Sequence, residues 1–277
     1  MLQKTLSLGA LSAVGATWSR FVFAVPFAGF FVFAYGQISG ESLPHLPPMF
    51  WAFSIGGGLA QILATWAVVA LFSLRNFAVG ITFKKTEVLQ AALLGFVVLG
   101  DRVSFWGVLA ILLGFVGVGY LSADNRALKS LNRHSVALGV FAGALFAISG
   151  VAYRGAVLQV AAENPFSRAI LTLLVVTLFQ TLALALWLAI WQQGEIRRVL
   201  KSWRTSIWIG MAGIGGSIGW FAAFSLQNAA YVFAVGQIEV IFSILIGRFL
   251  FGEKLSGRET LGIILVTLSI LALILLR

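Results

Sequence analysis

Residues 72–113 of this chain recur at 224–265 without a gap, with 14 of 42 positions identical. Phe72-Ser73-Leu74-Arg75-Asn76 returns as Phe224-Ser225-Leu226-Gln227-Asn228, Glu87-Val88 as Glu239-Val240, and Gly95, Gly100 and Ser104 as Gly247, Gly252 and Ser256. Identity of this kind, polar residues included, is far more than shared apolar composition produces, so the chain is read as an ancient duplication. Whatever fold one half adopts, the other must adopt as well.

The medium is set by hydropathy. With 60% hydrophobic and 10% charged residues and a mean hydropathy of +0.99, the chain carries more apolar surface than a soluble core of 277 residues can hide. A helix needs roughly 20 apolar residues to cross the hydrocarbon. Nine stretches qualify, at about 17–37, 49–72, 77–99, 103–122, 135–158, 166–192, 205–226, 229–251 and 257–276. None alternates in the manner of a barrel strand. The expected fold is therefore an all-α polytopic helical bundle.

Charge and chemistry narrow the classes further. The net charge of +10 does not point to nucleic acid, because the basic residues sit in short loops between spans. Alternate loops place thirteen of them, from Lys4 and Arg20 to Lys254 and Arg258, on one side, and four (Arg102, Arg154, Arg168 and Arg277) on the other. The first side is read as cytoplasmic, with Met1 inside and Arg277 outside. There is no cysteine, which removes disulfides and thiolate metal sites. His45 and His134 lie in loops with no acidic partner at helical spacing, so neither a metal nor a catalytic centre is expected.

Matched spans in the two halves are separated by five crossings, an odd number, so the repeats are inverted. The span at 166–192 begins Ser167-Arg168 as that at 17–37 begins Ser19-Arg20, which extends the match and leaves the span at 135–158 without a counterpart. One helix of the first half is thus expected to be missing. Three arrangements account for this: a chain that starts before Met1, a protein that works with nine spans, or residues 5–17 as a short substitute. The two repeats are drawn at 1–122, with four spans, and 135–277, with five.

Order and landmarks together resemble the drug/metabolite transporter superfamily, specifically its EamA-like members with two inverted five-helix repeats. The resemblance rests on the penultimate helix of each half ending in an acidic turn, Leu99-Gly100-Asp101-Arg102 and Phe251-Gly252-Glu253-Lys254, followed by an apolar last helix containing glycine. It implies a multi-pass protein of the cell inner membrane that moves a small polar metabolite, such as an amino acid or organic acid, by alternating access, in efflux or exchange. A channel or a non-transporting membrane scaffold is the other class compatible with the duplication. It would be indifferent to loss of mid-membrane charge, which a carrier would not.

The candidate substrate-binding residues are those an apolar span has no other use for. Lys84, Lys85 and Glu87 lie mid-span in one repeat, and Gln237 and Glu239 at aligned positions in the other. Charges at that depth face a cavity or one another. Lys84 and Glu87 are three residues apart and can pair, whereas Lys85 is rotated about 100° away and is expected to be available to a ligand. Related carriers of phosphorylated or carboxylated metabolites use lysines in corresponding helices, which implies the same for Lys85. Glu87 and Glu239 are the mid-membrane acids and hence the candidates for proton coupling. Gln61 and Trp66 are further binding candidates, with Thr65, Gln180 and Trp220 also interrupting apolar spans.

Other landmarks are read structurally. Arg20 and Arg168 are expected to snorkel to the headgroups rather than gate a pathway. Asp101 and Glu253 suit helix caps beside Gly100 and Gly252. Pro26 is expected to kink its span, and the glycines at 56–58, 215–219 and 114–119 to admit close helix approach. No cofactor is expected, and the partners foreseen are a small-molecule substrate and the bilayer.

Overall fold

The computed structural model describes residues 11–40, 44–72, 77–122, 133–251 and 256–275. Thirteen α-helices account for most of them, and no strand occurs among the described residues. In chain order they are α1 (Ala13–Val22), α2 (Val25–Ser39), α3 (Pro48–Phe72), α4 (Phe77–Lys84), α5 (Glu87–Leu99), α6 (Phe105–Ser122) and α7 (Arg133–Gln159). There follow α8 (Pro165–Trp191), α9 (Glu195–Lys201), α10 (Trp203–Leu226), α11 (Ala229–Gly236), α12 (Ile238–Phe251) and α13 (Gly257–Leu275). Six stretches are long and apolar enough to cross a bilayer, Val14–Ser39, Pro48–Leu71, Arg133–Gln159, Pro165–Trp191, Trp203–Leu226 and Gly257–Leu275, and two shorter apolar helices cover Phe105–Leu121 and Ala229–Phe242.

Three of the expected continuous spans are interrupted. The first breaks at Phe23–Ala24, and Pro26 opens α2 within its first turn, where its missing N–H costs nothing. The third breaks at Lys85–Thr86 between α4 and α5, and the eighth at Gln237 between α11 and α12. Local hydrogen bonding tightens at both of the latter: Lys85 N–H donates to Thr82 O and Thr86 N–H to Phe83 O, each at 3.1 Å, while Gln237 N–H donates to Ala234 O at 3.2 Å. These are three-residue turns in place of four-residue ones, and they re-aim the helix that follows. Because residues 85 and 237 are aligned in the duplication, the interruption itself is duplicated.

Packing divides the chain into two compact units, Met1–Ile62 with Ala152–Leu226, and Leu63–Val151 with Gln227–Arg277. In the first, α8 packs on α1, α2 and α10. Its buried core has two parts, one around Trp18, Phe21, Leu184 and Leu188 and one around Phe50, Ala156, Val160 and Leu171. Glu195, fully buried at the start of α9, accepts the N–H of Ser12 at 2.5 Å, pairs with Arg198 at 2.8 Å, and fits against Gly15. It fastens α9 to the positive end of α1.

In the second unit the most extensive pairing is α6 with α13. It depends on small residues: a Cβ at Gly114 would meet Ser269 Oγ at 2.5 Å, and one at Gly117 would meet the backbone N of Val266 at 2.9 Å. Without a hydrophobic drive between helices in lipid, such close contact is what holds them. Gly139 and Gly143, four apart on α7, do the same for α4; a Cβ at Gly143 would lie 2.7 Å from Lys84 O, and one at Gly139 would strike the backbone of Gly80. The break at Lys85–Thr86 is thus seated on a bare strip of α7. Gly215, Gly216 and Gly219 of α10, by contrast, have no described neighbour within 4 Å of where a Cβ would stand.

Gly100 ends α5 in the left-handed region at φ 70°, and Asp101 N–H donates back to Gly95 O at 3.1 Å. Glu253, Lys254 and residues 5–10 lie outside the described residues.

Candidate functional site

The paired breaks of the second unit bring the duplicated polar residues together. Lys84, at the end of α4, donates to Glu87 Oε1 at 3.2 Å and lies 2.9 Å from Oε2, with its ammonium 4.3 Å from the ring centre of Phe146. Glu87 is 4% exposed, so this pair is a closed structural clasp across the break, with a cation–π contact on its outer side. Thr86 extends it, donating to Phe83 O at 2.7 Å and accepting from Gln90 at 3.0 Å.

Lys85 is turned the other way, as its rotation on the helix requires, but it is not unpaired. Its Nζ lies 2.5 Å from Glu239 Oε1, in the first turn of α12. The expectation that Lys85 stands open to a ligand is corrected accordingly: the duplicated break carries its own counter-ion, 154 positions away. The two partners differ sharply in environment, with side-chain exposures of 7% for Lys85 and 61% for Glu239.

Lys85 and Gln237 line one narrow cavity, with Val88, Phe115 and Ser269 among its other walls. Gln237 is 4% exposed and its Oε1 has no hydrogen-bond partner among the described residues. An amide oxygen buried without a donor is costly, and it marks the place where a ligand donor would be welcomed. Each break therefore contributes one polar side chain to the same small space.

Gln61 belongs to the first unit. Its Oε1 accepts from Gln180 Nε2 at 2.7 Å and from the Tyr153 hydroxyl at 3.0 Å, and Gln180, 1% exposed, also donates to Gly58 O and to Tyr153. Gly57 leaves room for the Tyr153 ring, which packs 4.7 Å from that of Phe221. Trp66 is 58% exposed and lines neither cavity described here, and Trp220 packs beside Phe224. Arg168 turns back to the loop and donates to Ala162 O at 2.6 Å. Arg20 is exposed and borders a cavity that also includes Gln61 and Gln180.

Tyr153 carried no sequence signal, since tyrosine in an apolar span commonly packs at an interface.

The family model of the EamA-like transporter family matches residues 134–275. The chain belongs to that family, and it is a multi-pass membrane transporter of the drug/metabolite type. A solved crystal structure superposes with a TM-score of 0.67 over 99% of this chain and 94% of its own, at 15% sequence identity, a likeness of fold alone. No match is found among curated proteins.

Proposed function

We propose that the protein is a secondary carrier that exports or exchanges a small zwitterionic metabolite, an amino acid or a close relative, by alternating access. The observation that carries this reading is the duplicated break, with Lys85 and Glu239 paired across it and Gln237 Oε1 left without a donor among the described residues. Interrupted membrane helices at matching positions of two repeats are the usual location of a transported ligand. A zwitterion fits the groups available. Its carboxylate can replace Glu239 at Lys85, and its ammonium can take the freed Glu239 and the oxygen of Gln237, so no charge is stranded when the resident pair opens.

In this reading Lys84 and Glu87 keep the break folded, Lys85, Gln237 and Glu239 meet the substrate, and the glycine seat of α7 lets the break shift. The repeats are those drawn at 1–122 and 135–277, inverted, with nine spans in the cell inner membrane. Glu239 is the better proton carrier of the two acids, because Glu87 is buried in its clasp. Gln61 and Trp66 have no part in this site.

The test is counterflow in proteoliposomes. Labelled amino acids are offered outside vesicles loaded with the same unlabelled species, for the native protein and for Lys85→Gln and Glu239→Gln. Trans-stimulated uptake by the native protein, lost in both variants, supports the carrier. Uptake without trans-stimulation, unchanged in the variants, indicates a channel, and no uptake of any amino acid removes the zwitterion assignment.

A further inference from the structure

Between residues 164 and 238 the chain carries one acid, Glu195, and it is buried. The cations beside it are not. Arg197, Arg198 and Lys201 of α9 and Arg204 in the first turn of α10 are all exposed. Arg198 is neutralised by Glu195 at 2.8 Å, whereas Arg197 and Lys201 have no acidic partner among the described residues. They stand four residues apart on one helix, the spacing at which like charges repel. An anion held between them turns that repulsion into attraction.

The place of α9 says which anion. It joins α8 to α10, two helices of membrane-crossing length that pack on each other. Seven residues of helix measure about 10 Å, close to the roughly 8–10 Å between packed helix axes, so α9 runs across the end of the pair, along the membrane surface. Tryptophans mark the same depth. Trp191 closes α8 and Trp203 opens α10, and both are exposed, as indoles at the headgroup level are. On α9 itself Glu195 and Val199 turn inward, the first to Ser12 and the second into the core around Trp18 and Leu188. The turn of the helix puts Arg197 and Lys201 on the opposite side, with exposed Leu200 next to them. Arg204 completes the cluster, 5.8 Å from the ring centre of Trp203. Cations bordered by exposed apolar side chains, at the depth of the headgroups, match a molecule with an anionic head and an acyl chain. A free anion would leave Leu200 and Trp203 without a role.

We propose that α9 and the first turn of α10 form a binding surface for an anionic phospholipid, its head between Arg197 and Lys201 and its chain along Leu200 and Trp203. The surface lies within the first unit and does not depend on the assignment of Lys85, Gln237 and Glu239.

The probe is phosphatidylglycerol, with phosphatidylcholine of the same acyl chains and inorganic phosphate as controls, added to the purified full chain in neutral detergent. Bound lipid is counted by native mass spectrometry. The native protein is expected to take its first phosphatidylglycerol about tenfold more tightly than phosphatidylcholine. The double variant Arg197→Gln with Lys201→Gln is expected to lose that preference. Arg102→Gln with Arg133→Gln, which removes the same charge from exposed positions elsewhere, should keep it, as should Arg197→Lys. A second readout needs no variant: in the native protein, reductive methylation of Lys201, followed by peptide mass, is expected to slow severalfold in phosphatidylglycerol and not in phosphatidylcholine or phosphate. Equal affinity of the native protein for the two lipids overturns the proposal, as does an equal loss in both double variants. Protection of Lys201 by inorganic phosphate to the same extent would make this a free-anion site and overturn the lipid assignment.

Discussion

Lys85 and Glu239 meet at 2.5 Å across 154 positions of sequence, each standing at the break of a helix that the duplication copied. The pair therefore joins the two interrupted helices and is also what a charged ligand must displace.

The unequal burial of that pair makes its two halves unequal in energy. Glu239→Gln leaves Lys85, with a side chain 7% exposed, without its counter-ion, and is expected to cost about 1–3 kcal/mol of stability. Lys85→Gln leaves a carboxylate that is 61% exposed, and is expected to cost less than about 1 kcal/mol. Denaturant titration of both variants in mixed micelles checks the order; equal losses would mean that the pair is symmetric and the burial argument wrong.

Glycines separate into those that seat a backbone and those that do not. Gly143→Leu drives a side chain into Lys84 O, 2.7 Å from where its Cβ would stand, and should destabilise the protein by about 1–3 kcal/mol while disturbing the neighbouring break. Gly215→Ala and Gly216→Ala meet nothing and should be neutral or stabilising by up to about 1 kcal/mol. Melting temperatures of the three variants distinguish the classes.

Glu195→Gln weakens the fastening of α9 to α1. The carboxylate is fully buried, receives Ser12 N–H and pairs with Arg198, so its loss should cost about 1–3 kcal/mol. Limited proteolysis near residues 192–203 should accelerate in the variant. Unchanged cleavage would show that α9 is held by its apolar contacts alone.

Gln180→Leu removes the donor shared by Gly58, Gln61 and Tyr153 and should cost about 1 kcal/mol, with membrane hydrogen bonds averaging less than this each. Trp66→Leu, at a side chain that is largely exposed, should alter neither stability nor ligand binding. Thermal stability and counterflow on the two proteins decide between a binding role for Trp66 and a surface one.

Much of this was legible in the chain because the bilayer imposes simple rules. Apolar length located the six helices long enough to cross a bilayer, Pro26 foretold the break in the first of them, and the three-residue spacing of Lys84 and Glu87 foretold their pairing. The residues singled out at 85, 237 and 239 do converge in one unit. What could not be read was the state of Lys85, because its partner lies on a distant helix and sequence spacing reports only local neighbours. Nor did hydropathy reveal the breaks at Lys85–Thr86 and Gln237: a helix that stops for two residues and resumes is as apolar as one that does not.

The central claim is that the aligned breaks form the ligand site, and the absence of cysteine makes it directly testable. A single thiol is introduced as Gln237→Cys, or as Trp66→Cys for comparison, and its rate of modification by a water-soluble methanethiosulfonate is measured in reconstituted protein. The same amino acids that support counterflow are then added. The account predicts that they slow modification at position 237 and leave position 66 unaffected. Full reactivity at 237 in the presence of an amino acid that the protein demonstrably exchanges would contradict it.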